Sequence, residues 1–178
     1  MKKTSGFFLA PIFAFLLSGT PILSAFAESV SVTVNAQASV GPTLQITLSE
    51  GGSSELRFGN IRPSAVDTTQ AGPITVKIKV DCNTGEKYQV TQALNDSLMN
   101  AQGDQISAEQ LTFKSSGTTT SGTGIPDFLP SSSSSQVIFV SDNKGTGDTV
   151  SAEYSLLVPP GQAPGDYSAF VTYTASVV

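Results

Sequence analysis

The sequence contains no histidine and no tryptophan, and one cysteine, Cys82, in 178 residues. Without histidine, Ser-His-Asp and Cys-His triads and every histidine-bearing zinc site are excluded. A lone cysteine forms neither an internal disulfide nor a thiolate cluster, and as a nucleophile Cys82 has no imidazole base. It reads as a small buried apolar residue or as one half of an intermolecular disulfide in an oxidising compartment. Charge is scarce too, at 13% of residues, with 14 acidic against 9 basic. Phosphate backbones and anionic membrane surfaces call for clustered Lys and Arg, so neither nucleic acid nor a membrane surface is an expected partner.

Long apolar runs are missing as well, except near the start. Lys2 and Lys3 precede an apolar stretch from Phe7 to Leu17, then Pro21 and the small-x-small pattern Ala25-Phe26-Ala27. Eleven residues are too few for a bilayer-spanning helix, which needs about 20, and the order of features is that of a cleaved signal peptide over 1–27. The chain is therefore expected to be exported. The remaining 151 residues, with 7 basic and 14 acidic side chains, suit one domain of net charge −7.

What the sequence does contain is alternation. Val30, Val32, Val34, Ala36, Ala38 and Val40 alternate with polar residues without a break, and so do Ile74, Val76, Ile78 and Val80. Segments 43–49, 55–59, 87–94, 136–140 and 151–158 also read as strands. In 166–178, Tyr167, Ala169, Val171, Tyr173, Ala175 and Val177 share one face. Short strand-like runs divided by Gly, Pro, Asn and Asp predict an all-β sandwich or barrel. The Ser-, Thr- and Gly-rich stretch 115–135 reads as a long mobile surface loop, and a short helix is expected only around Ala101 to Leu111.

Catalytic signals are weak. Two carboxylates across a cleft suffice for glycoside hydrolysis, but no pair stands out among acids that lie mostly in turns. Asp142-Asn143-Lys144-Gly145-Thr146-Gly147-Asp148 is oxygen-rich, yet it lacks the ligand spacing and closing Glu of a calcium loop and reads as a hairpin turn. Asn95-Asp96-Ser97 fits a glycosylation acceptor, a frequent chance match. No enzyme activity, cofactor or metal is expected.

The segment 28–40 poses a functional question. Eleven alternating residues at about 3.3 Å each reach roughly 36 Å, about twice an ordinary strand. It could be a long edge strand of its own domain, or an extension that adds a strand to another domain with alternate side chains filling successive pockets. Burial of four valines contributes roughly 6–12 kcal/mol as an upper bound, against about 5–15 kcal/mol for the stability of a whole domain. One donated strand could decide whether the receiving domain stays folded, and donation to the next copy would propagate into a fibre.

Four motifs in order carry a resemblance. They are Val40-Gly41-Pro42-Thr43-Leu44, Leu56-Arg57-Phe58-Gly59-Asn60, the strand from Ile74 to Cys82, and Pro159-Pro160-Gly161 … Pro164-Gly165-Asp166-Tyr167 before the last alternating strand. Together they resemble the subunits of bacterial chaperone–usher pili, especially the spore coat protein U-like branch. The resemblance implies an immunoglobulin-like β-sandwich lacking one strand, with 28–40 as a donor-strand extension and 41–178 as the pilin domain. Val30, Val32, Val34, Ala36, Ala38 and Val40 would then fill pockets in a neighbouring subunit. Tyr167, Ala169, Val171, Tyr173, Ala175 and Val177 would line the receiving groove and pair with a periplasmic chaperone. The implied partners are neighbouring pilin subunits, that chaperone and an outer-membrane usher, and the implied destination is a cell-surface fibre that supports adhesion. Branch members usually carry a second cysteine partnered with the one at the position of Cys82, and residues 28–60 contain none. A different reading makes the chain a secreted binding module that presents the 115–135 loop on a complete sandwich.

Overall fold

The computed structural model describes residues 35–49, 55–118 and 122–178. Val30, Val32 and Val34 lie outside the described residues. The chain divides into two units, Met1–Ala38 and Ser39–Val178. In the first, the described residues 35–38 are exposed and outside any strand.

Among its described residues the second unit has eleven strands. They are β1 (Leu44–Leu48), β2 (Thr69–Cys82), β3 (Tyr88–Leu94), β4 (Leu98–Met99), β5 (Gln105–Ile106), β6 (Leu111–Gly117), β7 (Thr123–Gly124), β8 (Leu129–Pro130), β9 (Gln136–Val140), β10 (Asp148–Val158) and β11 (Val171–Val177). One antiparallel sheet has the order β1-β2-β10-β6-β8, the other β11-β3-β9-β7, and β4 and β5 form a small hairpin. The expected all-β sandwich is the observed architecture.

Alternation explains why these residues form these layers. With a period of two, one face of each strand is apolar and must be covered. Val76, Ile78 and Val80 of β2 and Val150, Ala152, Tyr154, Leu156 and Val158 of β10 face Tyr88, Val90 and Leu94 of β3 and Ile138 and Phe139 of β9. All are buried. The intervening Lys77, Lys79 and Glu153 stay at the surface, where Lys79 pairs with Asp81 at 2.9 Å. Gly72 lets β2 pass close to β10: a Cβ there would stand 2.7 Å from the Tyr154 carbonyl oxygen, and its φ is +101°.

Several expectations are corrected. Residues 55–59 form no strand; Gly59 takes φ +72°, which breaks an extended run. The region expected to hold a helix contains the β4–β5 hairpin and one 3-10 turn, Ala108–Gln110. There Asn100 Oδ1 accepts from the amides of Gln102 (3.0 Å) and Asp104 (2.8 Å), closing a turn that competes with a helix. The segment 115–135 is largely built into the sandwich. It begins inside β6, and β7 and β8 attach it to both sheets. The turn at Asp142 joins strands of different sheets, not a hairpin, with Asp142 Oδ1 accepting from Lys144 N–H at 3.0 Å.

Candidate functional site

The two long sides of the sandwich differ. On one, residues 122–130 pass from one sheet to the other and pair with β9 and β6. On the other, β1 and β11 are the outermost strands of their sheets.

The backbone of β11 can be followed residue by residue. Asn95 N–H donates to the Phe170 carbonyl (2.8 Å), and Val178 N–H donates to the Lys87 carbonyl (2.9 Å). Rungs of an antiparallel pair repeat every two residues, so the even-numbered residues 170 to 178 bond β3. Val171, Tyr173, Ala175 and Val177 turn their N–H and C=O groups to the opposite side, where no strand lies among the described residues. Val171, Tyr173 and Ala175 are half-buried, and Val177 is 41% exposed. Of these four residues with free backbone groups, Val171 and Tyr173 pack their side chains on the core.

Strand β1 mirrors this. Asn83 N–H donates to the Thr43 carbonyl (3.1 Å) and Ser49 N–H to the Lys77 carbonyl (2.9 Å), which leaves Leu44, Ile46 and Leu48 with free backbone groups. Leu44 and Ile46 pack on the core. β1 and β11 approach within 8 Å between Cα atoms, yet no hydrogen bond joins them among the described residues. A strand bonded to both would need about 9.6 Å, two strand spacings. Where β1 and β11 come this close, the gap is narrower than a strand bonded to both would need.

Tyr173 carries more than apolar surface. Its hydroxyl lies 2.7 Å from that of Tyr154, whose own O–H donates to Gln92 Oε1. Tyr154 has one proton, so Tyr173 is the donor between them. Burial, eased by the bond to Tyr154, pushes the Tyr173 phenol up to about 12. The Tyr154 phenol is raised further, by burial and then by Tyr173. Upstream, Tyr167 O–H donates to the Ala163 carbonyl (2.8 Å) and accepts from Gln162 Nε2 (2.7 Å). Tyr167 borders a cleft of about 730 Å³ floored by Leu98, Ile106, Leu156 and Val158 and walled by Phe58 and Ile61.

Of residues 28–40, only 35–40 are described. Ala36, Ala38 and Val40 are exposed and outside any strand, Val40 at 83%. Cys82 is half-buried, with Sγ 3.3 Å from Thr84 Oγ1 and no disulfide. Among the described residues no three His, Cys, Asp or Glu side chains are grouped to hold a metal ion. Sequence reasoning missed the Tyr154–Gln92 pair, because a Gln at an inward position signals nothing until its partner across the core is known.

No protein-family profile matches the chain, and no curated protein matches it. Among solved structures it is similar to a family 123 glycoside hydrolase from Clostridium perfringens, at 18% identity and a TM-score of 0.39, over 64% of this chain and 19% of that one. The chain thus spans about a fifth of the hydrolase. It is also similar to a chain in the structure of a chaperone–usher pilus, at 12% identity and a TM-score of 0.43, over 87% of this chain and 99% of that one.

Proposed function

We propose that the chain is a structural subunit of an extracellular pilus, in which residues 28–40 of one copy complete the sandwich of the next by strand exchange. The observation that carries this reading is the edge of β11, where Val171, Tyr173, Ala175 and Val177 have no strand opposite their backbone groups among the described residues, and Val171 and Tyr173 also pack on the core. A strand added there would satisfy their backbone groups and cover their side chains in one step. The alternating run from Val30 to Val40 has the composition for that role. That residues 35–40 are exposed and form no strand supports an extension rather than an internal strand.

The same edge gives a reason for a periplasmic chaperone, since an uncovered apolar strand edge promotes aggregation. An outer-membrane usher and export through a cleaved 1–27 segment belong to the same reading, as does surface adhesion by the finished fibre. Among the described residues no helix is long and apolar enough to cross a membrane.

The test is an SDS gel of the mature protein taken from the cell surface, with and without boiling, for the wild type and a deletion of 28–40. The expected result is a wild-type ladder that collapses to monomer on boiling and is absent in the deletion. A single monomer band at both temperatures, with a deletion that merely unfolds, would make 28–40 an internal strand and end the pilus reading.

A further inference from the structure

The inward side chains along the open edge differ in size in a set order: Ala169, Val171, Tyr173, Ala175, Val177. Residues 169 and 175 are alanines, whereas Tyr173 carries the large ring of the series. Its ring is held in position, because Tyr173 donates to Tyr154, which is fully buried and donates in turn to Gln92, 2% exposed. Swinging Tyr173 aside would leave a buried polar chain one partner short. The extension also varies in size, with valines at 32, 34 and 40 and alanines at 36 and 38.

A strand bonded to the free edge places residues with their side chains on the core side directly opposite 169, 171, 173, 175 and 177. Slips of one residue turn Asn35 and Gln37 inward and are ruled out by polarity. Slips of two residues keep every backbone bond, so only side-chain volume separates them. On the strand-exchange reading above, we propose that Tyr173 sets the register of the incoming strand by accepting Ala36 of the neighbouring copy opposite its ring, in antiparallel order.

In that register Val34 faces Ala175, Val32 faces Val177, Ala38 faces Val171 and Val40 faces Ala169, so with Ala36 at Tyr173 a small residue meets a larger one at four of the five positions. Shifting the guest by two residues one way sets Ala36 against Ala175 and leaves a void. The opposite shift sets Val34 against Tyr173 and Val40 against Tyr167, bulk against bulk. A parallel guest with Ala36 at Tyr173 again pairs two alanines, Ala38 and Ala175. Packing discriminates among such alternatives because even one methylene too many or too few is felt in a well-packed core.

The experiment uses surface fibres from cells expressing full-length variants, scored by the heat-labile ladder. Ala36→Phe should reduce the ladder at least tenfold, and adding Tyr173→Ala should restore it, while Ala38→Phe should gain nothing from Tyr173→Ala. Restoration of Ala38→Phe instead, or an unaffected Ala36→Phe, overturns the register. Should Tyr173→Ala fail to fold, cysteine pairs decide in a Cys82→Ser background. Directly opposed bonded residues have Cα atoms about 5.5 Å apart, within disulfide reach. Val34→Cys with Ala175→Cys should give covalent oligomers on a non-reducing gel, and Ala36→Cys with Ala175→Cys should give monomer. The reverse pattern overturns the proposal with strand exchange intact. A wild type without any ladder overturns strand exchange itself, and the register with it.

Discussion

On one side of the sandwich, residues 122–130 stitch the sheets together, while on the other, β1 and β11 run side by side without a bond between them. The stitched side depends on a glycine and a serine. Ser115 N–H donates to the Ile125 carbonyl (2.8 Å), and Ser115 Oγ accepts from Ile125 N–H (3.0 Å) and donates to the Ile138 carbonyl. Gly124 lies so close to β6 that a Cβ would overlap the Ser115 carbonyl. The Ser115 hydroxyl and the backbone groups it meets are paired there, while the buried Ser131 Oγ and Gln136 Oε1 have no hydrogen-bond partner among the described residues. On the open side the backbone groups of four β11 residues and three β1 residues have no strand opposite them among the described residues. An edge is thus closed or left open by where the backbone finds strand partners, since both sides carry apolar side chains.

The contrast can be broken first on its closed side. Gly124→Val forces a backbone shift against β6 and should lower the unfolding free energy by about 3 kcal/mol, read as a fall in the urea midpoint. A loss below about 0.5 kcal/mol, the range of ordinary surface changes, would mean that the stitching contributes little. On the open side, the buried phenols couple stability to alkaline pH. The Tyr173 phenol is raised to about 12 and the Tyr154 phenol is also raised, so the folded state retains protons that the unfolded chain releases near pH 10. Their contribution is fully present below pH 10 and is lost as pH rises through the folded values. Above pH 10 stability should fall by about 1.4 kcal/mol per pH unit for each, nearly 3 for the two. Denaturant midpoints at pH 9, 10 and 11 measure it, and a flat profile would contradict the burial of this pair. Tyr173→Phe is the mildest: Tyr154 keeps Gln92 as acceptor, and the loss should be about 1 kcal/mol. A cost of 3 kcal/mol or more in the same urea titration would mean that the hydroxyl holds the edge in place rather than trimming it.

The parts of the fold legible in the sequence are those where alternation ran through valine and isoleucine. Val76, Ile78 and Val80 announce β2, and Tyr88, Val90 and Leu94 announce β3. Strand β6 was not legible, because its third inward position is Ser115, and the strand runs into a Ser- and Thr-rich tract that reads as loop. The two-residue strands β7 and β8 carry no period at all, and their roles follow only from the neighbours they meet. At the candidate site, Tyr173 and Val171 were legible as members of one face. That their backbone groups point away from β3 was not, since that depends on which rungs the pairing with β3 uses. Tyr154 and Gln92 lie 62 residues apart and meet only through the fold.

The bond from Ser115 to Ile125 also bears on how the sandwich yields under load. Prying the sheets apart on the 122–130 side must break backbone bonds, whereas on the β1–β11 side the directional links are the side-chain bonds Tyr173–Tyr154 and Tyr154–Gln92, and the rest is dispersion, which loses a quarter to a half of its attraction within about an ångström. The sandwich therefore behaves like a bound book, with residues 122–130 as its spine and β1 and β11 as the fore-edges that part first.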